Sequence, residues 1–432
     1  MSQEDPSPQS GTSQNIVEIT HDGAIGYRAW RFPSGLRLIY RPDDEPVAYM
    51  GYIVAVGSGN DPMHYHGMAH FIEHMLFKGT KLRSARAIIN RMEEVGADFN
   101  AYTTKEETFI YTAALAEHAS RVIQLMTDVV KHSTFPLEEM AKEKNVILEE
   151  LNSYKDTPSE MIFDEFENLL FHATPLGHNI LGTERSLERI TREAALNFMS
   201  QYYRPERMVF CIRGKVQLDA LFDYLLKEFP PSVQNRTLQK QQEIRVKPML
   251  RERVTHRFNT HQVHRVMGCE AYSLYDKRSY ALALLNNILG GRGMNARLNL
   301  ILREDLGVVY SVESNYSPYA TTGCFSIYFG AAKEHLEEAT ERVWKELRRF
   351  INEPIEESDL RAACRQIMGQ MAVAEDNREN AFLAMGKSFM LYNRYESREE
   401  VAAHYAAVSA DDIVQVAKEL FGANKMLTLT YR

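Results

Sequence analysis

Apolar residues alternate with polar ones, or run together, across Leu36–Tyr40 and Val47–Val56, which predicts two strands. The apolar spacing over Gly67–Phe77 and Ala85–Val95 is that of helices. A strand pair is predicted near Asp98–Ala113, then a helix from about Glu117 to Val130. From Pro136 to Phe171 the pattern predicts a long helical stretch that Pro158 breaks or bends, because proline lacks the amide hydrogen and clashes with the preceding turn. A strand follows at Met208–Arg213. The segment Pro230 to Pro248 is polar, with prolines at both ends, and predicts a linker over 233–248. After it the order returns: a strand near Val263–Tyr272, helices over Tyr280–Ile288 and Asn295–Arg303, strands at Val308–Tyr316 and Phe325–Gly330, then helices.

This return extends to individual residues. Ala85-Arg86 and Glu93-Glu94-Val95-Gly96 recur as Ala296-Arg297 and Glu304-Asp305-Leu306-Gly307, a shift of 211. Ile110-Tyr111, Ala114 and Glu117-His118 recur as Ile327-Tyr328, Ala331 and Glu334-His335, a shift of 217. A small insertion accounts for the change of shift. The reading is a duplicated α+β unit: two homologous domains, 16–232 and 249–432, each a mostly antiparallel sheet with helices packed on one face.

Composition narrows the function. In 432 residues the formal net charge is −8, and no Lys/Arg-rich block could displace the counterions of a nucleic acid. Cys211, Cys269, Cys324 and Cys364 are scattered without a C-x-x-C, which fits neither a disulfide framework nor a cysteine zinc site, and points to a reducing compartment. Residues 1–15 lack the basic start and apolar run of a signal peptide and read as a disordered tail. No apolar run is long enough to span a bilayer, so the expectation is a soluble, cytoplasmic protein with no membrane partner.

The sharpest chemical feature is His70-Phe71-Ile72-Glu73-His74. On a helix His70 and His74 share one face, and Glu73 reaches the same region. Two imidazoles beside a carboxylate suit a catalytic zinc, with two neutral nitrogen ligands and a base for water. The order inverts H-E-x-x-H and is the inverzincin signature. The surrounding residues are apolar, so these polar groups need partners, and a metal is one. Glu143, Glu149 and Glu150 offer a third ligand on a predicted helix; Glu143 and Glu150 share a face, Glu149 points elsewhere, and spacing does not choose between the first two. His64, His66, His172 and His178 have no ligand spacing and read as loop residues. Gly290-Gly291-Arg292-Gly293 is not followed by the Lys-Ser/Thr of a phosphate loop and reads as a flexible, substrate-facing turn.

The run from Gly67 to Thr80, Asn100-Ala101-Tyr102-Thr103, the segment Glu143 to Glu150, and Leu181-Gly182-Thr183 together resemble the pitrilysin, insulin-degrading enzyme and mitochondrial processing peptidase family. So does Arg303 to Ser311 in the second half, and the length is that of the family's short, two-domain members. The resemblance implies one zinc per chain, with Glu150 as third ligand beside His70 and His74, Glu143 orienting a ligand, and Glu73 as general base. It implies that Asn100 and Ala101 pair with an extended substrate strand, with Phe71 grouped beside them as a substrate contact. Arg303 and Tyr310 are implied to bind substrate near the scissile bond. The implied activity is a zinc endopeptidase acting on unfolded peptides inside a closed chamber; the alternative is a catalytically silent scaffold or core subunit of a larger complex. The 211 shift sets Ala281, Leu284 and Leu285 against His70, Glu73 and His74, so the second domain is expected to keep the fold without the metal site. Because the long members join two such units, a homodimer is expected, its active sites shared between subunits.

Overall fold

The structure, a computed structural model, describes residues 16–22, 25–231, 253–258, 261–422 and 426–432. The expected tail and linker both lie outside the described residues.

The first half carries strands β1 (Val17–Asp22), β2 (Tyr27–Arg31), β3 (Arg37–Arg41), β4 (Val47–Val54), β5 (Asp98–Thr103), β6 (Thr108–Leu115) and β7 (Met208–Arg213). They form one sheet in the order β1-β2-β3-β7-β4-β6-β5. The second half carries β8 (Arg253–His256), β9 (Val263–Ala271), β10 (Val309–Pro318), β11 (Gly323–Ala331) and β12 (Leu427–Tyr431), in the order β10-β11-β9-β12-β8. Read from β8, that order reproduces β3-β7-β4-β6-β5 strand for strand. The β3–β7 and β8–β12 pairs are both parallel, and the other pairs are antiparallel. The duplication visible in the sequence is therefore a duplication of topology, to which the first half adds the β1–β2 hairpin.

Helices of the first half are α1 (Met68–Met75), α2 (Ala85–Glu93), α3 (Ala119–His132), α4 (Leu137–Lys155), α5 (Pro158–Leu170), α6 (Glu184–Arg189), α7 (Arg192–Tyr202) and α8 (Leu218–Glu228). In the second half they are α9 (Ser279–Gly290), α10 (Leu336–Asn352), α11 (Glu357–Asp376), α12 (Arg378–Tyr392), α13 (Arg398–Ala406) and α14 (Ala410–Phe421). Pro158 opens α5 at its first position, where a missing amide hydrogen costs nothing, so the long stretch becomes two helices. The helix expected over Asn295–Arg303 is a π-helical turn over Asn299–Asp305.

Each half packs its own helices on one sheet face, as expected. Tyr52, Ile110, Phe210 and Ile212 meet Phe71 and Met75 of α1 and Val122 and Met126 of α3. The opposite face is covered too, by a helix of the other half. Ile53, Phe109, Val209 and Cys211 pack under Phe382, Met385 and Phe389 of α12. Reciprocally, Ile162, Phe166 and Leu170 of α5 cover Val266, Tyr328, Leu429 and Tyr431 of the second sheet. Central strands such as Met208–Arg213 are apolar from Met208 to Ile212 because both faces are buried there. Close approach of α12 depends on Gly386, where a Cβ would lie 2.8 Å from both the Cys211 sulfur and Ile53 Cδ1. Among the described residues, no helix is long and apolar enough to cross a membrane.

Candidate metal centre

Helix α1 is only eight residues long, and its entry is built from several directions. Gly67 turns the chain with φ 90°, a left-handed conformation that glycine adopts without strain. Asp61, whose side chain is fully buried, accepts hydrogen bonds from Gly67 N at 2.7 Å and Ala69 N at 2.9 Å, placing a carboxylate at the helix's positive end. His178 Nε2 lies 3.4 Å from Asp61, and the His178 ring stacks on His66 with centroids 4.0 Å apart. Leu181-Gly182-Thr183 lies against this entry: a Cβ on Gly67 would come within 2.6 Å of the Leu181 carbonyl oxygen, and Ser186 Oγ donates to the His66 carbonyl. Replacing Gly67 by alanine is expected to lower unfolding free energy by about 2–4 kcal/mol, from positive-φ strain together with the backbone clash. Urea titration of the metal-free protein measures this.

The helix presents His70 and His74 with ring centroids 4.6 Å apart. From α4, Glu150 Oε2 approaches His70 Nε2 at 3.9 Å and His74 Nε2 at 3.8 Å. One ligand atom from each of the three lies within 4.8 Å of the others, and no other such cluster occurs among the described residues. Burial, and then the neighbouring charge of His74, push the His70 pKa down to about 3, so its imidazole is neutral and free to ligate. Glu143, on the same α4 face, is buried and points at the other side of His74, its Oε2 3.1 Å from Nδ1. Glu149 is exposed and outside the cluster.

Glu73 lies beside the three. Burial raises its pKa, partly opposed by the hydroxyl of Thr103, which donates to Oε2 at 2.5 Å. Thr103 ends β5, the edge strand of the sheet, so the Glu73 carboxylate is fastened to the strand that carries Asn100 and Ala101. Those two residues pair inward with Tyr111 and Ile110, and no strand covers the far edge of β5 among the described residues.

Phe71 corrects an expectation. It is wholly buried in the first core cluster and offers no surface to a substrate. Its helical position, one residue after His70, turns it about 100° away from the histidine face and into the sheet.

Arg303 and Tyr310 lie in the second half. Arg303 is exposed on the π-helical turn, and Tyr310 is 67% exposed at an irregularity where pairing passes from Val309↔Ala331 to Ser311↔Gly330. Such bulges re-aim a side chain. Among the described residues neither side chain has a hydrogen bond or ion pair. Arg303 lines a groove of about 580 Å³ between α9 and β10, with Asn287 and the Gly290–Gly293 turn, and no residue of the metal cluster lines it. Ala281, Leu284 and Leu285 of α9 are buried in the core, an apolar set with no metal-ligating atom.

Sequence reasoning assigns no role to Asp61, Lys78, Thr103 or His178. Lys78 and Thr103 stand inside the motif runs themselves, which is the signal that could have found them. Asp61 and His178 are joined only by the fold.

Residues 37–184 match the family described as Insulinase (Peptidase family M16), and residues 189–367 match the Peptidase M16 inactive domain, in keeping with the apolar set on α9. An uncharacterized zinc protease of Bacillus subtilis is 30% identical over 92% of this chain and 96% of its own. Another, from Rickettsia bellii, is 32% identical over 86% of this chain and 89% of its own. The fold matches a crystal structure of a protease from Helicobacter pylori with a TM-score of 0.83 at 18% identity, covering 94% of this chain and 99% of that one. It also matches a peptidase M16 inactive domain from Pseudomonas fluorescens, with a TM-score of 0.82 at 21% identity over 94% and 98%. With identity of this level along almost its whole length, the chain belongs to the insulinase family, peptidase family M16, whose members here are named zinc proteases.

Proposed function

We propose that the protein is a zinc metalloendopeptidase that hydrolyses unfolded peptides, with one zinc per chain held by His70, His74 and Glu150. The observation that carries this reading is the convergence of two imidazole nitrogens and one carboxylate beside Glu73. The donor set fits. Glu150 Oε2 stands 3.8 and 3.9 Å from the two imidazole nitrogens and all three ligand atoms lie within 4.8 Å of one another, so zinc bonds near 2 Å would need the group to close inward. Three protein ligands leave one position open, as catalytic sites require.

Zinc bound here supplies Lewis-acid polarisation and makes water acidic enough to be deprotonated near neutral pH. Glu73 would accept a proton from water at this site and return it to the leaving amine. Thr103 holds the Glu73 carboxylate in one orientation. The free edge of β5 receives the peptide as an added strand, so backbone hydrogen bonds give affinity with little dependence on sequence. Arg303 and Tyr310, exposed and without a hydrogen bond or ion pair among the described residues, come from a second copy of the chain, and two sites then face a shared chamber in a homodimer. All four cysteines are free, which suits a reducing cytoplasm.

Zinc analysis and a quenched unfolded peptide test this together. The expected result is one zinc per chain, with cleavage of the unfolded peptide and sparing of a tightly folded protein. Glu150→Ala should lose the metal, whereas Glu143→Ala should only weaken its binding. A wild-type chain without zinc overturns the reading; zinc without cleavage of any peptide returns it to the scaffold alternative.

A further inference from the structure

Glu143 has two partners on opposite sides of its carboxylate. Oε2 faces His74 Nδ1 at 3.1 Å, and Oε1 meets the Lys78 ammonium at 2.6 Å. The carboxylate is buried, while the Lys78 side chain keeps 29% of its surface in water. Lys78 lies three residues past the end of α1, in the turn closed by its own amide to Met75 O, so its backbone is tied to the helix that carries both histidines.

We propose that Lys78 is a positioning residue of the metal centre: its ammonium pins Glu143, which in turn holds His74 so that Nε2 faces the metal. The inference rests on the zinc reading above. A ligating imidazole is oriented by what its second nitrogen donates to, here Glu143. That carboxylate can hold the ring only if it is held itself. With one hydrogen bond and no cation, a buried carboxylate is poorly satisfied and free to rotate toward water or toward the metal. Three carboxylates, Glu73, Glu143 and Glu150, gather around the two histidines, and among the described residues Lys78 is the Lys or Arg ion-paired to one of them.

Two effects of removing Lys78 oppose each other, which makes the inference decidable. As a bare positive charge near a divalent cation, Lys78 repels the metal, and its loss would tighten binding. As the pin on Glu143, it supports the ligand set, and its loss would weaken binding, by about 10- to 100-fold for such outer partners. The sign of the change therefore separates the two roles.

The experiment measures zinc affinity by chelator competition on the full chain, for the wild type, Lys78→Met, Lys78→Arg, Glu143→Gln and the Lys78→Met/Glu143→Gln double variant. Metal-free unfolding curves establish that each is folded. Lys78→Met should bind zinc about tenfold more weakly or worse, and should alter the visible spectrum of the cobalt-substituted protein. Lys78→Arg, which keeps the charge and a donor for Oε1, should restore most of the affinity and the spectrum. The double variant should bind no more weakly than Glu143→Gln, since Lys78 acts through Glu143. Lys78→Met binding zinc as tightly as the wild type, or more tightly, overturns the inference. So does a further tenfold loss in the double variant. A wild type that binds no zinc overturns instead the reading on which the inference stands.

Discussion

Glu73→Gln is expected to suppress peptide hydrolysis and to leave zinc binding intact. The carboxylate lies outside the cluster formed by His70, His74 and Glu150, so its neutralisation removes no ligand. Glutamine matches its size, and its amide oxygen can still accept the Thr103 hydroxyl that now holds Oε2. What is lost is the capacity to take a proton. A positioned base contributes about 10²- to 10⁴-fold, so turnover should fall at least that far with zinc content unchanged. Thr103→Val separates proton acceptance from orientation: the base remains but its carboxylate is untethered, and a smaller loss confined to kcat is expected. Zinc analysis with steady-state kinetics on the same preparations checks both variants. Near-normal turnover by Glu73→Gln would place the base elsewhere.

The sequence was most legible where chemistry and periodicity are local. His70, Glu73 and His74 sit on one short helix, so their geometry is contained in their spacing. The duplicated topology could be read from two alternation patterns and a handful of recurring residues, because strand order followed the repeat. The exchange of α5 and α12 between sheets was not legible. An apolar strand announces that both faces are buried, but not which helix buries the second one. The support around the ligands was hidden for the same reason. Asp61 and His178 are far apart in the chain, and only the folded loops bring them together at the entry to α1. Glu143 and Glu150 were equivalent by spacing. In the structure Glu150 approaches the Nε2 atoms of both histidines and Glu143 approaches Nδ1 of His74, so the two carboxylates are no longer equivalent. Phe71 shows the converse error: proximity in sequence to a metal motif says little about exposure, because the next helical position faces the core.

Mixing two inactive variants should restore activity if the catalytic unit is a dimer. In one chain the metal cluster belongs to the first half, while Arg303 and Tyr310 stand exposed in the second, with no hydrogen bond or ion pair among the described residues. An isologous pair lets each subunit's second half complete its partner's site, giving two equivalent sites around one two-fold axis. A Glu73→Gln chain keeps a sound Arg303, and an Arg303→Ala chain keeps a sound base. In the mixed dimer one site combines both defects, and the other combines both intact elements. Random exchange makes half the dimers mixed, so about a quarter of wild-type activity should return at equal amounts. Native mass spectrometry of chains carrying distinguishable tags establishes that exchange has occurred. If exchanged dimers stay inactive, Arg303 serves the metal site of its own chain, because only then does every site in the mixture carry one defect.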